Sequence, residues 1–394
     1  MQHDLPPTLP EPDVHSAAHC ERVAAFVRER IGDAGGSISF AEYMQHALYA
    51  PGLGYYAAGA TKFGEAGDFI TAPEVSSVFG RVVARQCAEV LAQVNGGAIL
   101  EFGAGSGHLA VDILEALAEF DALPSAYRIL EVSADLRERQ DNRIREHLPD
   151  LAHLVTWLDE PPDSFRGVIV ANEVLDALPV ERFVRRDAGV QQQRVRVGNS
   201  GFEIVEVPAP GNLATAVQEI EQELGKALLD GYASEVCLAA PDWIAQLSVS
   251  LQEGAVFLFD YGVSRSEYYA EERSDGWLRC HFRHHAHNNP LILPGVQDLT
   301  AWVDFTGVAT AAVAAGFEVA GFSAQAQFLM GGGLDAEMRG FATLSLEEQL
   351  ELSRQIKTLT LPGEMGEHFK CMALRKGNIA TPTAFSLADR THTL

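Results

Sequence analysis

The sequence predicts an α/β chain: a doubly wound parallel sheet with an N-terminal helical segment and two insertions. Three observations predict it. Apolar runs at 98–102, 127–132, 167–171 and 255–260 have the length and composition of buried strands. Helical patterns separate these runs, and strands that alternate with helices form a parallel sheet. The first run passes directly into three alternate glycines, Gly103, Gly105 and Gly107, and then into an amphipathic stretch with Leu109, Ile113, Leu114 and Leu117 at helical spacing. Strand, glycine loop and helix in that order bind a nucleotide at the carboxyl end of such a sheet.

Each element can be argued in turn. Residues 1–16 carry Pro6, Pro7, Pro10 and Pro12 and read as a loose leader. A helix is expected over 17–31, with Val23, Phe26, Val27 and Ile31 on one face. Ser39-Phe40-Ala41-Glu42 has the form of a capping box and opens a second helix through Leu48. The turn-rich aromatic stretch 49–56 follows, and then a glycine-bearing polar segment over 63–74, just ahead of a long helix at 76–91. A loop in that position can fold over the cofactor cleft, or it is a plain structured surface connection. The core strands lie at 98–102, 127–132, 153–157, 167–171 and 255–260, with a charged helix at 134–146. Between the fourth and fifth strands, runs at 181–186, 191–197 and 202–207 read as an antiparallel meander, with a helix at 213–229 after it. The second insertion spans 263–306. Then come a small-residue helix at 308–315, a strand at 317–322, helices near 335–341 and 346–358, and a last strand at 369–374.

This gives an organisation of 1–92 as leader and cofactor-covering helical segment, 93–180 as the first half of the core, 181–250 as the first insertion, 251–262 as a core strand, 263–306 as the His-rich insertion, 307–376 as the rest of the core, and 377–394 as a polar, flexible tail.

Composition narrows the chemistry. The 394 residues suffice for one large domain with insertions or for two domains, and 47% are apolar. Asp and Glu outnumber Lys and Arg 54 to 29, a formal net charge of −25. That field repels phosphate and argues against a nucleic-acid partner. It suits a cationic one, such as a basic protein segment, although plain solubility accounts for most of such a charge. The five cysteines are scattered without a C-x-x-C pair, so neither a zinc ribbon nor a disulfide framework is indicated. The N-terminus has no apolar core of a signal peptide, no run is long enough to insert in a membrane, and no transit signal is read. The expectation is a cytoplasmic protein, with a homodimer left open.

The candidate site starts at the glycine loop. Its third glycine comes one residue earlier than in the dinucleotide fingerprint, and Glu101 sits two residues before the first. A carboxylate there can accept from an ammonium group or from the loop's own N–H groups. The stretch resembles the first motif of the class I S-adenosylmethionine methyltransferases, a Rossmann-like fold. Glu131 ends the second strand, 26 positions beyond Gly105, where an acid accepts from the two ribose hydroxyls of a nucleoside cofactor. A helix N-terminal acid is the plainer alternative for it. Asn172, Glu173 and Asp176 leave the fourth strand at the sheet centre. Carboxylates there can orient a cationic nitrogen and help remove its proton, or the turn is simply capped by Asn172. The spacing of His281, His284, His285 and His287 is compatible with zinc, but Asn288-Asn289-Pro290 argue for a polar loop, and no metal is assigned.

The whole series of motifs resembles the MidA family, whose mitochondrial members are the complex I assembly factor 7 type of methyltransferase. The residues that carry the likeness are Gly54-Tyr55-Tyr56, Gly67-Asp68-Phe69-Ile70-Thr71-Ala72-Pro73-Glu74, Glu101-Phe102-Gly103-Ala104-Gly105-Ser106-Gly107, and Glu131-Val132-Ser133 with Leu136, Arg137 and Gln140. Asn172-Glu173-Val174-Leu175-Asp176-Ala177-Leu178-Pro179, Asp260-Tyr261-Gly262, Pro294-Gly295-Val296-Gln297-Asp298-Leu299-Thr300 and Pro362-Gly363-Glu364-Met365-Gly366 complete it. Ala104 departs from the pattern, because relatives often carry proline there. The resemblance implies S-adenosyl-L-methionine as cofactor, held by Glu101, Gly103, Gly105, Gly107, Glu131, Asn172 and Thr71. It further implies methylation of a protein arginine in a complex I subunit or an analogous target. Glu173 and Asp176 are then the carboxylates for the guanidinium, with Asp68 or Glu74 from the upstream loop. Two other readings stand beside it. One is a non-catalytic assembly protein that keeps the cofactor as a structural ligand. The other, an NAD-dependent oxidoreductase, is disfavoured by the early third glycine.

Overall fold

The computed structural model describes residues 9–58 and 70–394. In chain order its strands are β1 (Ser37–Ser39), β2 (Ala98–Phe102), β3 (Tyr127–Leu130), β4 (Val155–Leu158), β5 (Phe165–Asn172), β6 (Glu181–Arg186), β7 (Gly189–Val197), β8 (Phe202–Pro208), β9 (Ala233–Val236), β10 (Leu251–Val263), β11 (Leu278–Phe282), β12 (His285–His287), β13 (Asp298–Ala301), β14 (Val303–Asp304), β15 (Glu318–Ala324) and β16 (Phe369–Lys376). The helices that matter for the site are α1 (Val14–Asp33), α2 (Phe40–Tyr49), α3 (Ala72–Val75), α4 (Ser77–Gln93), α5 (His108–Glu119) and α6 (Ala134–His147).

The chain divides into two compact units. One comprises Ile70–Leu175, Pro241–Val263 and Phe305–Leu394; the other takes the remaining segments, of which 9–58, 176–240 and 264–304 are described.

The unit beginning at Ile70 holds the sheet that the sequence predicts. Its strand order is β15-β16-β10-β5-β2-β3-β4. The β4, β3, β2, β5 and β10 neighbours pair in parallel, whereas β16 is antiparallel to both β10 and β15. Strand β2 is followed outward by β3 and β4, and the chain then returns to place β5 on the other side of β2. This reversal is a topological switch point, and its crevice opens at the carboxyl ends of β2 and β5. Apolar side chains are the reason the sheet forms here. Ile99, Leu100, Val168, Ile169, Val170 and Phe257 are fully buried. Helix α5 covers the sheet with Leu109, Ile113, Leu114 and Leu117, the residues whose spacing predicted it. Helix α6 differs: only Leu136, Gln140 and Ile144 are buried along its charged length.

The tail was expected to be loose, yet it packs. Phe385 is buried, with its ring 5.5 Å from that of Phe328. The Ala384 N–H donates to Gln86 Oε1 at 2.9 Å and the Thr383 N–H to Glu89 Oε2 at 3.0 Å. The polar residues around Phe385 concealed a single large apolar anchor.

The other unit has its own core, in which Val23, Val27 and Ile31 of α1 meet Phe40, Tyr43 and Leu48 of α2 together with Val195, Leu278 and Leu299. The capping box at the start of α2 is present: the Glu42 N–H donates to Ser39 Oγ at 3.1 Å and the Ser39 N–H to Glu42 Oε2 at 2.7 Å. The meander forms as β6, β7 and β8, and β1 and β9 extend it on either side in the order β1-β7-β6-β9. Its helix spans Gly211–Leu224 and stops at Gly225, which takes the left-handed conformation (φ +66°) that ends helices. The histidine run is a hairpin, not a plain loop. Cys280 pairs with His287 and Phe282 with His285, and Arg283 and His284 form the turn with φ of +49° and +63°. Alternation along β11 buries Cys280 and Phe282 and leaves His281 partly exposed, a period of two that the spacing of the histidines alone does not reveal. Among the described residues no group of three His, Cys, Asp or Glu gathers as a metal site, and no helix is long and apolar enough to cross a membrane.

Candidate functional site

The parallel registers bring the predicted cofactor residues to one edge. Phe102 pairs with Leu130 on one side and with Ala171 on the other. The next residues along the three strands are Gly103, Glu131 and Asn172, so these emerge side by side at the switch point. Gly103, Gly105 and Gly107 have φ of +62°, +53° and +82°, all left-handed, where a Cβ costs about 1–2 kcal/mol per residue. A Cβ on Gly107 would also press on Gln140 Cα at 3.4 Å. The loop is a bare, tightly curved backbone because its conformation admits little else.

Helix α6 holds this loop from outside. Gln140 Nε2 donates to the Gly105 carbonyl at 2.9 Å and to Glu131 Oε2 at 3.2 Å, while its Oε1 accepts from Trp157 Nε1 at 2.8 Å. Arg143 Nε donates to the Ser106 carbonyl at 2.9 Å. Arg137 Nε donates to the Glu131 carbonyl at 2.5 Å. Sequence reading quoted Gln140 within a motif and gave it no role. Its complete burial on an otherwise charged helix shows the role, and the sequence alone does not record that burial.

Glu131 is buried, and its Oε1 takes the Ser133 N–H at 2.9 Å. Glu101 is 2% exposed and accepts the Tyr127 hydroxyl at 2.7 Å. Burial pushes the Glu101 carboxyl up to about 7; the Tyr127 bond opposes this and the Glu131 charge adds to it.

At the end of β5, Glu173 has φ +52°, the left-handed region, although it is not glycine. Its N–H is tied to the Phe259 carbonyl at 2.8 Å, and its Oε1 accepts Asn172 Nδ2 at 3.0 Å. Behind the turn, buried Asp260 accepts the Leu175 and Tyr261 N–H groups at 3.0 and 2.9 Å. Asn172 Oδ1 is buried with no hydrogen-bond partner among the described residues. Backbone conformations of this kind cluster at functional sites.

The remaining predicted residues fall elsewhere. Thr71 precedes α3, and its N–H meets Glu74 Oε2 at 3.4 Å. Asp176 belongs to the other unit, where it is buried and its carbonyl accepts the Ala301 N–H at 2.9 Å. In that unit Tyr56 donates to Asp298 Oδ1 at 3.0 Å, and burial followed by the Asp298 and Asp176 charges raises the Tyr56 hydroxyl well above its usual range. Asp68 lies outside the described residues.

The edge fits an adenosyl sulfonium amino acid. Glu131 presents carboxylate oxygens at this edge, the kind of acceptor to which a ribose diol donates. Glu101 can likewise receive an ammonium group. Asn172 Oδ1, which meets no donor among the described residues, can accept from a donor on such a ligand.

Comparison with known proteins gives three findings. The profile of an S-adenosyl-L-methionine-dependent methyltransferase family matches residues 82–323. Among solved structures, a Burkholderia thailandensis protein bound to S-adenosyl-homocysteine has a TM-score of 0.92 at 37% identity, covering 98% of this chain and 100% of that one. Among curated proteins, the Drosophila melanogaster "Protein arginine methyltransferase NDUFAF7 homolog, mitochondrial" is 29% identical over 379 residues, 88% of this chain and 83% of its own length. The Homo sapiens "Protein arginine methyltransferase NDUFAF7, mitochondrial" is 28% identical over 373 residues, 86% of this chain and 80% of its own. These names overturn the cytoplasmic expectation, since they point to the mitochondrion; that expectation rested on the absence of a recognisable address in the sequence, and absence was a poor guide.

Proposed function

Because the chain belongs to this S-adenosyl-L-methionine-dependent methyltransferase family, the MidA type that its motifs resemble, we propose that the group it methylates is an arginine side chain of a protein. The observation that carries the reading is the naming of its relatives as protein arginine methyltransferases over 86–88% of this chain. By the same resemblance the target is a respiratory complex I subunit or an analogous protein.

The bound cofactor supplies an electrophilic methyl group on a sulfonium. The work of the protein is to place a nucleophile in line with it. The cofactor is proposed to lie on Gly103, Gly105 and Gly107, with its ammonium at Glu101, its ribose at Glu131, and Asn172 and Thr71 as further contacts. Glu173 is the proposed acceptor carboxylate. Its charge would pair with the planar fork of guanidinium donors, hold one nitrogen toward the methyl group, and accept its proton. The bond from Asn172 and the left-handed backbone fix where that carboxylate stands.

The test is transfer of labelled methyl from S-adenosylmethionine to proteins of a lysate, with the modified peptide identified by mass spectrometry. The expected label sits on arginine and is lost in Glu173→Gln, which still binds S-adenosylhomocysteine. Label confined to another residue type would overturn the arginine reading. No transfer to any protein would favour the structural-ligand alternative, which nothing in the site otherwise supports.

A further inference from the structure

Glu74 was a candidate partner for the acceptor because its segment precedes the cleft. Its contacts lead elsewhere. The side chain is 6% exposed. Its Oε1 accepts the Ser106 hydroxyl at 3.0 Å, and its Oε2 faces the Thr71 N–H at 3.4 Å. Ser106 is the residue between the second and third glycines of the loop, and its carbonyl is already held by Arg143 at 2.9 Å. His108 Nδ1 stands 3.3 Å from Ser106 Oγ and 3.9 Å from Glu74 Oε1. Burial, with Arg143 and His147 adding to it, pushes the His108 ring down to about 4, so near neutral pH it is an uncharged neighbour.

A loop of alternate glycines has few side chains by which anything can hold it. Here α6 grips two carbonyls, at Gly105 and Ser106, and Glu74 grips the intervening hydroxyl from another direction. A hydroxyl bonded to a carboxylate is among the stronger neutral-to-charged contacts. We propose that Glu74 is a positioning residue for the cofactor: through Ser106 it fixes the outer turn of the glycine loop, and it does not touch the acceptor. This rests on the placement of the cofactor at that loop made above.

Calorimetric binding of S-adenosylhomocysteine to the full-length protein tests it. Glu74→Ala and Ser106→Ala are each expected to weaken binding about 5- to 20-fold, and the double variant no further, because both remove one bond. Glu74→Gln keeps an acceptor oxygen for the serine and is expected to stay within about threefold of wild type. Ligand-free melting curves identify any variant that fails to fold; should Glu74→Ala do so, Ser106→Ala breaks the same bond from the loop side. The proposal is overturned if Glu74→Ala or Ser106→Ala binds like wild type, if their effects add, or if Glu74→Gln binds as poorly as Glu74→Ala. Gly105→Val separates the premise from the proposal. If that variant still binds, the cofactor is not at the loop. If it does not bind while Glu74→Ala and Ser106→Ala bind normally, only the role of Glu74 fails.

Discussion

Glu101 is a carboxylate placed where water cannot reach it, and its chemistry follows from that. In the ligand-free protein its proton is held to about pH 7, against an ordinary value of 4.5. Between those values the folded protein binds more protons than the unfolded chain. The stability this group contributes is therefore fully present below about 4.5 and is lost as pH rises through about 7. The cofactor's ammonium would favour the ionised form. S-adenosylhomocysteine affinity should then fall by up to about tenfold per pH unit below about 7, and Glu101→Gln should flatten that profile in calorimetry. A profile that is flat in the wild type would remove Glu101 from the ammonium. Gly105 makes a simpler case. Valine at φ +53° is strained and adds a branched side chain to the loop proposed to hold the cofactor, so Gly105→Val should show no measurable binding while retaining a cooperative melt.

At the scale of elements, α6 is the support on which the loop depends. Gln140 joins Gly105, Glu131 and Trp157 through three bonds. Gln140→Ala leaves buried polar groups unsatisfied, each costing about 1–3 kcal/mol. It should weaken S-adenosylhomocysteine binding about tenfold or more and change the fluorescence emission of Trp157. Unchanged affinity would show that the glycine loop holds its shape without Gln140. The same helix shows what a sequence reveals and what it hides. Strand, loop and helix from Ala98 onward were legible because burial writes apolar residues at fixed periods, and Glu131 was legible because strand ends in a parallel sheet converge. Gln140, Arg143 and Glu74 were not, because the bonds that tie each of them to the glycine loop span 32 to 37 residues, and nothing local records such a bond. Strand β9 has only four residues, and β12 three, too few for periodicity to register.

For the whole molecule, the tail binds together elements distant in sequence. Phe385 fills a site against Phe328 where a Cβ on Gly321 would come within 2.2 Å of its ring, and Ala384 reaches Gln86 of α4. Removing 377–394 should lower the melting temperature markedly, since loss of one buried Phe side chain alone costs about 3–5 kcal/mol. Phe385→Ala should reproduce most of that drop. A truncated protein that melts like the full chain would show the tail to be dispensable. The charge of −25 acts at the same scale. A net negative field favours approach of basic segments, so labelling of a basic acceptor should weaken as salt screens the field.

The left-handed backbone at Glu173 has a consequence for evolution by substitution. Glycine is at ease at φ +52°, and an acid is not. The chain spends about 1 kcal/mol on that conformation to keep a carboxylate at the end of β5. Under the role proposed for Glu173, stability and catalysis are opposed at one position, and a screen for heat tolerance alone would drift toward glycine there. Glu173→Gly should melt no lower than the wild type, bind S-adenosylhomocysteine normally and transfer no methyl. A clear loss of stability in that variant would mean that Glu173 serves the fold, and that the chemistry belongs to another carboxylate.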